Sequence, residues 1–127
     1  MMRRISVANI ILVHHKLIDQ TGGSHGVRDI NLVDSAISRA FATFDGNDLY
    51  EMTDDKIAAT TFGLINNHGF IDGNKRVGIA VMLLLLKLNG YTLQYSQEEL
   101  IIMGISIADG SMDELGIKKW INQHKKT

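Results

Sequence analysis

The residues from His68 to Gly78 read HGFIDGNKRVG and join two helical stretches of the chain. Asp72 and Gly73 form a turn signal, and Asp72 is predicted to be the N-cap of the helix that follows. Lys75 and Arg76 then fall in the first turn of that helix, where free backbone N–H groups and the positive end of the helix dipole attract anions. Two cations in this position cost stability unless something negative is bound there. The stretch therefore predicts an anion site, and the anion expected is a phosphate.

Apolar residues at helical spacing predict a helix on each side of this stretch. The preceding helix begins near Thr53 and runs to about Asn67, and its periodicity places His68 towards the interior at its C-terminal end. The following helix, from Lys75 to Asn89, is apolar nearly all round. A helix of that kind is predicted to be buried at the centre of a bundle.

Four further helices are predicted from capping residues and apolar periodicity. The first runs from Ile5 to about Gln20, and the second is capped by Asn31. Capping boxes at Ser96–Glu99 and Ser111–Glu114 open the last two. No linker or repeat divides the sequence, so residues 1–127 are predicted to form one all-α domain, with about six helices around a buried central helix. The residues predicted to form the apolar face of the first helix are Ile11, Leu12, His15 and Ile18.

Composition excludes several classes of function. The chain has no cysteine, which rules out disulfides, thiolate zinc sites and cysteine nucleophiles. The five histidines show no metal-ligand spacing, because the adjacent pair His14 and His15 points about 100° apart on a helix. A net charge of −1 argues against a broad nucleic-acid footprint. The densest apolar run, from Ile79 to Leu86, is too short to cross a bilayer, and the N-terminus is a poor signal peptide, so a cytoplasmic protein is expected.

The motif residues suit phosphoryl or nucleotidyl transfer to a protein hydroxyl. His68 is a histidine, the residue type most often used as a general base, and can take the proton of an incoming hydroxyl. Asp72 would repel phosphate unless a divalent cation lies between them, and Mg²⁺ suits that position. Gly73 allows close approach of the backbone, and the Asn74 amide can donate to a phosphate oxygen. Phe70 is expected to anchor the loop in the core.

These residues together resemble the signature of the Fic/Doc superfamily, His-x-Phe-x-Asp/Asn-Gly/Ala-Asn-Gly/Lys-Arg, at residues 68–76. Lys75 is similar to the death-on-curing (Doc) branch, because Fic enzymes proper have glycine there. GGSHGVRD at residues 22–29 resembles that branch's GG-x-x-G-x-R-D loop. The resemblance covers nearly the whole chain and implies the all-α Fic fold.

The resemblance also implies a role for each motif residue. It implies that His68 is the catalytic base, that Lys75 is a second catalytic residue, and that Asp72 holds Mg²⁺. The phosphate-binding residues that it implies are Gly73, Asn74, Lys75 and Arg76.

By the same resemblance, the reaction would be transfer of the γ-phosphate of ATP to a threonine of elongation factor Tu, which would arrest translation. The chain would be the toxin of a toxin–antitoxin pair, restrained by a separate antitoxin protein. From the net charge and the short apolar run, no direct nucleic-acid partner and no membrane are expected. Two positions depart from the family. Fic AMP-transferases carry a second arginine where this chain has Ile79, and Doc carries an asparagine where it has Ala80.

Other interpretations of the same residues stay open at this point. One is protein AMP transfer at the same site, and another is a non-catalytic module that only binds a nucleotide or a partner. Taken alone, His68 is more often a structural histidine and Asp72 a plain N-cap. His25 and Arg28 lie in the glycine-rich loop, which could border the site as a flap or contact the target, although such loops are usually just turns.

Overall fold

The computed structural model describes residues 2–126, which form six helices and one short hairpin. The all-α prediction is confirmed. The two-residue strands of the hairpin pair antiparallel, with Thr43 opposite Asp48. The elements in chain order are α1 (Val7–Thr21), α2 (Ile30–Ala40), β1 (Thr43–Phe44), β2 (Asn47–Asp48), α3 (Thr53–Asn66), α4 (Asn74–Leu88), α5 (Gln97–Ala108) and α6 (Glu114–His124).

The centre of the bundle is shared by α3 and α4. Helix α3 contacts α2, α4, α5 and α6, and α4 contacts α1, α3 and α5. The central position predicted for α4 is therefore held jointly with α3, which is enclosed on more sides. The sequence did not predict a central position for α3, because its buried residues include the polar Thr60 and Thr61. Each hydroxyl donates to a carbonyl one turn back, at 2.9 and 2.8 Å, and so is satisfied inside its own helix.

The N-caps of α2, α4 and α6 differ from the residues predicted. Helix α2 is capped by Asp29 instead of Asn31, since Oδ1 of Asp29 accepts a hydrogen bond from the Asn31 amide at 3.0 Å. Helix α6 is capped by Asp113, because Ser111 bonds to Asp109 and Ser106 instead. Helix α4 is preceded by Gly73 in the left-handed conformation, with φ of 78°, so Asp72 is not its cap. The carboxylate of Asp72 is therefore free to contact other parts of the molecule.

The buried face of α1 is rotated by one residue from the prediction. Ile10, His14 and Ile18 are buried, whereas Leu12 and His15 are exposed. The reason is that α1 packs on the loop between α3 and α4, where the ring of His14 forms a hydrogen bond with the carbonyl oxygen of Asp72. This rotation brings His14 against the motif loop and leaves His15 facing solvent.

Within residues 2–126, no helix combines the length and the apolar character that a membrane-spanning helix needs.

Candidate functional site

The motif loop, residues 67–73, joins α3 to α4 and carries the predicted catalytic histidine. Helix α3 ends at Asn66, and His68 takes a left-handed conformation with φ of 53°. The chain has therefore left the helix before His68, and the side chain is exposed. The predicted interior position of His68 is wrong because the helical periodicity stops two residues before it. An exposed imidazole at this point can reach an incoming molecule.

The glycine-rich loop, residues 22–28, lies directly on the motif loop. Nε of Arg28 donates to the carbonyl oxygen of His68 at 2.7 Å, and the Arg28 amide donates to the carbonyl of Gly69 at 2.8 Å. The amide of Ile71 donates in turn to the carbonyl of Gly26 at 3.1 Å. Arg28 thus supports the backbone of His68 from behind. It does not line the pocket described below, and its predicted role as a flap or target contact stays a prediction.

Asp72 is held by two backbone N–H groups. Its Oδ2 accepts from the amide of Ser24 at 3.0 Å, and its Oδ1 accepts from the amide of Gly73 at 2.8 Å. These hydrogen bonds, that from Ser24 above all, lower the pKa of the Asp72 carboxyl, and the nearby guanidinium of Arg76 acts in the same direction. Asp72 is therefore an ionised carboxylate at neutral pH, with 45% of its side chain exposed.

His14 is a residue of the site that the sequence did not reveal. It is buried, its ring stacks on Phe70 with centroids 3.9 Å apart, and its Nε2–H donates to the carbonyl oxygen of Asp72 at 2.7 Å. Phe70 itself is 1% exposed, as a loop anchor requires. The signal that could have revealed His14 is its position midway between Ile10 and Ile18, four residues from each.

The start of α4 presents unpaired backbone donors. The first hydrogen bond of the helix runs from the Val77 amide to the carbonyl of Gly73 at 2.9 Å, so the N–H groups of residues 74–76 precede it. The Asn74 side chain is directed to the backbone of Phe70, accepting from its N–H at 3.1 Å and donating to its carbonyl at 3.0 Å. Asn74 thereby fixes the loop, and its backbone N–H precedes the first hydrogen bond of α4.

The two cations of the motif differ in their surroundings. Nη1 of Arg76 donates to Oγ1 of Thr21 at 2.6 Å and to the carbonyl of Gly22 at 2.7 Å, which ties α4 to the end of α1. Its Nη2 lies 3.7 Å from Oδ1 of Asp72. Lys75 is exposed, and no ion pair among the described residues involves it. Lys75 is thus the cation that is free to move to a ligand.

A pocket of about 340 Å³ brings the predicted site residues together. The imidazole of His68, the carboxylate of Asp72 and the donors at the start of α4 all line it. An apolar groove of about 500 Å³ between α1, α4 and α5 adjoins this pocket and shares Lys75 and Arg76 with it. His25 lies elsewhere, with its Nε2 2.8 Å from Oδ1 of Asp19. The predicted residues that line the pocket are His68, Asp72, Gly73, Asn74, Lys75 and Arg76.

Comparison with known proteins places this arrangement in a family. The model of the Fic/DOC family matches residues 4–86. "Toxin Doc" of Mycolicibacterium smegmatis is 43% identical over 72 residues, which are 57% of this chain and 55% of that relative, so the match spans about half of its length. "Protein kinase doc" of Escherichia phage P1 is 31% identical over 114 residues, which are 87% of this chain and 86% of the relative. The chain belongs to the Fic/DOC family.

Proposed function

We propose that this chain is the toxin of a toxin–antitoxin pair and acts as an enzyme that transfers the γ-phosphoryl group of ATP to a hydroxyl group of a protein. The observation that carries the proposal is that an exposed histidine, an ionised carboxylate and the residues of a helix start line one pocket. A nucleophile, a proton acceptor and a phosphate can meet there without further rearrangement of the backbone.

The phosphates of ATP would bind at the start of α4. The N–H groups of residues 74–76 and the helix dipole favour negative charge, and Gly73 allows the backbone to approach closely. Lys75 and Arg76 add positive charge on the same turn. Pairing with phosphate would also remove the repulsion between these two neighbouring cations. ATP is therefore the substrate whose charge this turn suits.

The Asp72 carboxylate fits a magnesium ion. Each of its oxygens accepts one backbone hydrogen bond, which leaves lone pairs on both, and nearly half of the side chain is exposed. Mg²⁺ is typically held by one or two carboxylates together with phosphates and waters, which matches a single aspartate beside an anion site. When bound, the ion would neutralise charge on the phosphates. His14 and Ser24 would keep the aspartate in place.

The reaction needs one proton acceptor, and His68 is positioned for that role. The oxygen of the target hydroxyl forms a bond to the γ-phosphorus, the bond from this phosphorus to the bridging oxygen of ADP breaks, and the hydroxyl proton passes to the His68 imidazole. Positioning and charge stabilisation account for most of the catalysis in reactions of this kind. The hydrogen bond from Arg28 to the His68 carbonyl supplies the positioning.

Transfer of the γ-phosphoryl group is favoured over AMP transfer by the residues next to Arg76. Ile79 and Ala80 line the apolar groove, so α4 offers no second cation one turn further along. The phage relative bears the name of a protein kinase and matches most of the chain. The target proposed is elongation factor Tu, and the partner that restrains the enzyme is an antitoxin protein, in keeping with the toxin name of the mycobacterial relative.

The test uses ATP labelled separately at the α- and γ-phosphates, with Mg²⁺, in two mixtures: purified elongation factor Tu and a whole bacterial lysate. The variants are His68→Ala and, as a matched control, His124→Gln, which removes an imidazole that pairs with Glu99 far along the chain from the motif. We expect γ-label on the target, a loss of about 10²–10⁴-fold with His68→Ala, and no loss with the control.

Any other result would change either the proposed reaction or the proposed target. Label from the α-position would mean AMP transfer on the same residues. No label from either position in either mixture, with growth arrest that persists in His68→Ala, would mean a non-catalytic binding module. γ-Label on lysate proteins other than elongation factor Tu would support the proposed kinase activity but with a different target protein.

A further inference from the structure

Three side chains that the proposed reaction does not use converge at the C-terminal end of α1. They are His15, Asp19 and His25, and their donor atoms all lie within 4.8 Å of one another. Nε2 of His15 is 3.4 Å from Oδ2 of Asp19, and Nε2 of His25 is 2.8 Å from Oδ1. The two imidazole rings lie side by side, with centroids 4.3 Å apart. We propose that this triad binds a transition-metal ion of the Zn²⁺ type.

The chemistry of the donors selects the ion. Two imidazole nitrogens and one carboxylate oxygen suit Zn²⁺ and its neighbours, whereas Mg²⁺ and Ca²⁺ prefer oxygen ligands alone. Bonds of about 2.0–2.1 Å in a tetrahedron place neighbouring donors about 3.3 Å apart. The observed separations of 2.8 and 3.4 Å lie on either side of that value. The two separations run to different oxygens of Asp19, and the three donors all lie within 4.8 Å of one another, so rotation of the carboxylate and the imidazoles would bring one oxygen and both nitrogens onto one ion and leave a fourth position open to water.

Backbone contacts place the three triad residues close together. His15 and Asp19 are four residues apart on α1 and so lie on one face of the helix. His25 comes from the glycine-rich loop, which is fixed on both sides of it. The Ser24 amide donates to Asp72 at 3.0 Å, and the carbonyl of Gly26 accepts from Ile71 at 3.1 Å. The third donor is thus placed by contacts that do not depend on the metal.

This site was not predictable from the pattern of residues, because its two histidines are ten residues apart and the adjacent pair His14 and His15 points in different directions. The fold joins one member of that pair to a loop histidine through Asp19. The other member, His14, is buried against Phe70 and takes no part. All three triad side chains are exposed, at 43–60% of their area, so an ion can reach them from solvent.

The test is isothermal titration calorimetry of the full chain with Zn²⁺, in buffer that contains excess Mg²⁺ to occupy sites for hard cations. We expect saturable binding of one Zn²⁺ per chain. His15→Ala and His25→Ala should each weaken it at least about 10-fold, because each removes a ligand. His68→Ala and His124→Gln are the matched controls, since both remove an exposed or part-exposed histidine outside the triad, and neither should change the affinity.

Titration with Co²⁺ gives a second readout that does not depend on heat. The visible absorption bands of bound Co²⁺ should appear with the wild-type chain and the two controls and should be lost in both triad variants. Because His15 and His25 are exposed, circular dichroism should show that these variants keep their helices. The proposal fails if the wild-type chain binds no Zn²⁺, or if either triad variant binds it as tightly as the wild type.

Discussion

Arg28 supports the backbone of His68, the proposed proton acceptor, from outside the pocket. Its guanidinium donates to the carbonyl of His68, the residue that leaves α3 in a left-handed conformation, which non-glycine residues rarely adopt. Without this hydrogen bond the backbone of His68 can relax, and the imidazole no longer has one fixed direction. Arg28 is therefore a positioning residue in the proposed reaction.

Replacing Arg28 by methionine should lower kcat about 10-fold or more while leaving the KM for ATP nearly unchanged, because the phosphate donors at the start of α4 are untouched. Steady-state kinetics of γ-phosphoryl transfer measures both constants. Arg3→Met is the control, since Arg3 is also exposed and its backbone is hydrogen-bonded to Asn89 at the end of α4 opposite to the motif loop. A rise in KM with kcat unchanged would show that Arg28 contacts the substrate instead.

Asp72 should titrate below the ordinary value of 3.8, because the Ser24 and Gly73 amides and the Arg76 guanidinium all favour its charged form. A carboxyl whose pKa is depressed by folding adds stability above its unfolded pKa, and that stability is lost as the pH falls through the folded pKa. The carboxyl carbon shift of Asp72, followed by NMR as the pH is lowered from 6, should therefore titrate with a midpoint below 3.8. A midpoint at or above 3.8 would contradict the hydrogen bonds described for this side chain.

At the scale of elements, two helical glycines with different neighbours predict opposite effects. A Cβ added at Gly78 of α4 would overlap Cγ1 of Ile65 in α3, so the two central helices can approach this closely only because residue 78 has no side chain. A Cβ added at Gly104 of α5 would meet nothing closer than Cγ1 of Ile79 at 3.6 Å, which is ordinary contact.

Gly78→Ala should therefore lower the free energy of unfolding by about 1–2 kcal/mol, since overpacking outweighs the gain in helix propensity. Gly104→Ala should raise it by about 0.5–1 kcal/mol, because only the propensity gain applies. Urea unfolding followed by circular dichroism measures both changes. If both variants lost stability to a similar extent, the close approach of α3 and α4 at Gly78 would not be the cause of the effect of Gly78→Ala.

The sequence predicts elements better than their ends and contacts. The Ser96–Glu99 capping box was predicted and is formed, with both reciprocal hydrogen bonds, at 2.9 and 3.1 Å. It was predictable because its two partners are three residues apart. Asp72 was predicted to cap α4 by the same local logic, but its carboxylate bonds to Ser24, 48 residues away along the chain. Local spacing holds no information on such a partner.

The same limit applies to the candidate site. The motif residues were predictable because they are consecutive and converge on one helix start. His14 and the support from Arg28 were not, since each depends on how α1 and the glycine-rich loop pack against the motif loop. Packing also decided which face of α1 is buried, because the hydrogen bond from His14 to the Asp72 carbonyl offsets the cost of burying a polar ring.

At the scale of the whole molecule, the apolar groove beside the pocket suits the proposed antitoxin. Ile101 and Ile105 on its α5 wall are 55% and 51% exposed, a large apolar area for a protein surface. Lys75 and Arg76 lie where the groove meets the pocket. An amphipathic helix with apolar residues towards α5 and an acidic residue towards these cations would fill the groove and cover the phosphate site at once.

Ile101→Glu combined with Ile105→Glu should therefore abolish rescue by a co-expressed antitoxin while growth arrest by the toxin persists, because a charge in the groove costs binding energy without touching His68. Rescue is measured as the ratio of colony counts with the antitoxin to colony counts without it. Ile102→Glu is the matched control, since Ile102 is 56% exposed on the same helix but does not line the groove. Equal rescue of the double variant and the control would place the antitoxin elsewhere. Loss of growth arrest in the double variant would instead assign the groove to the target protein or the nucleotide.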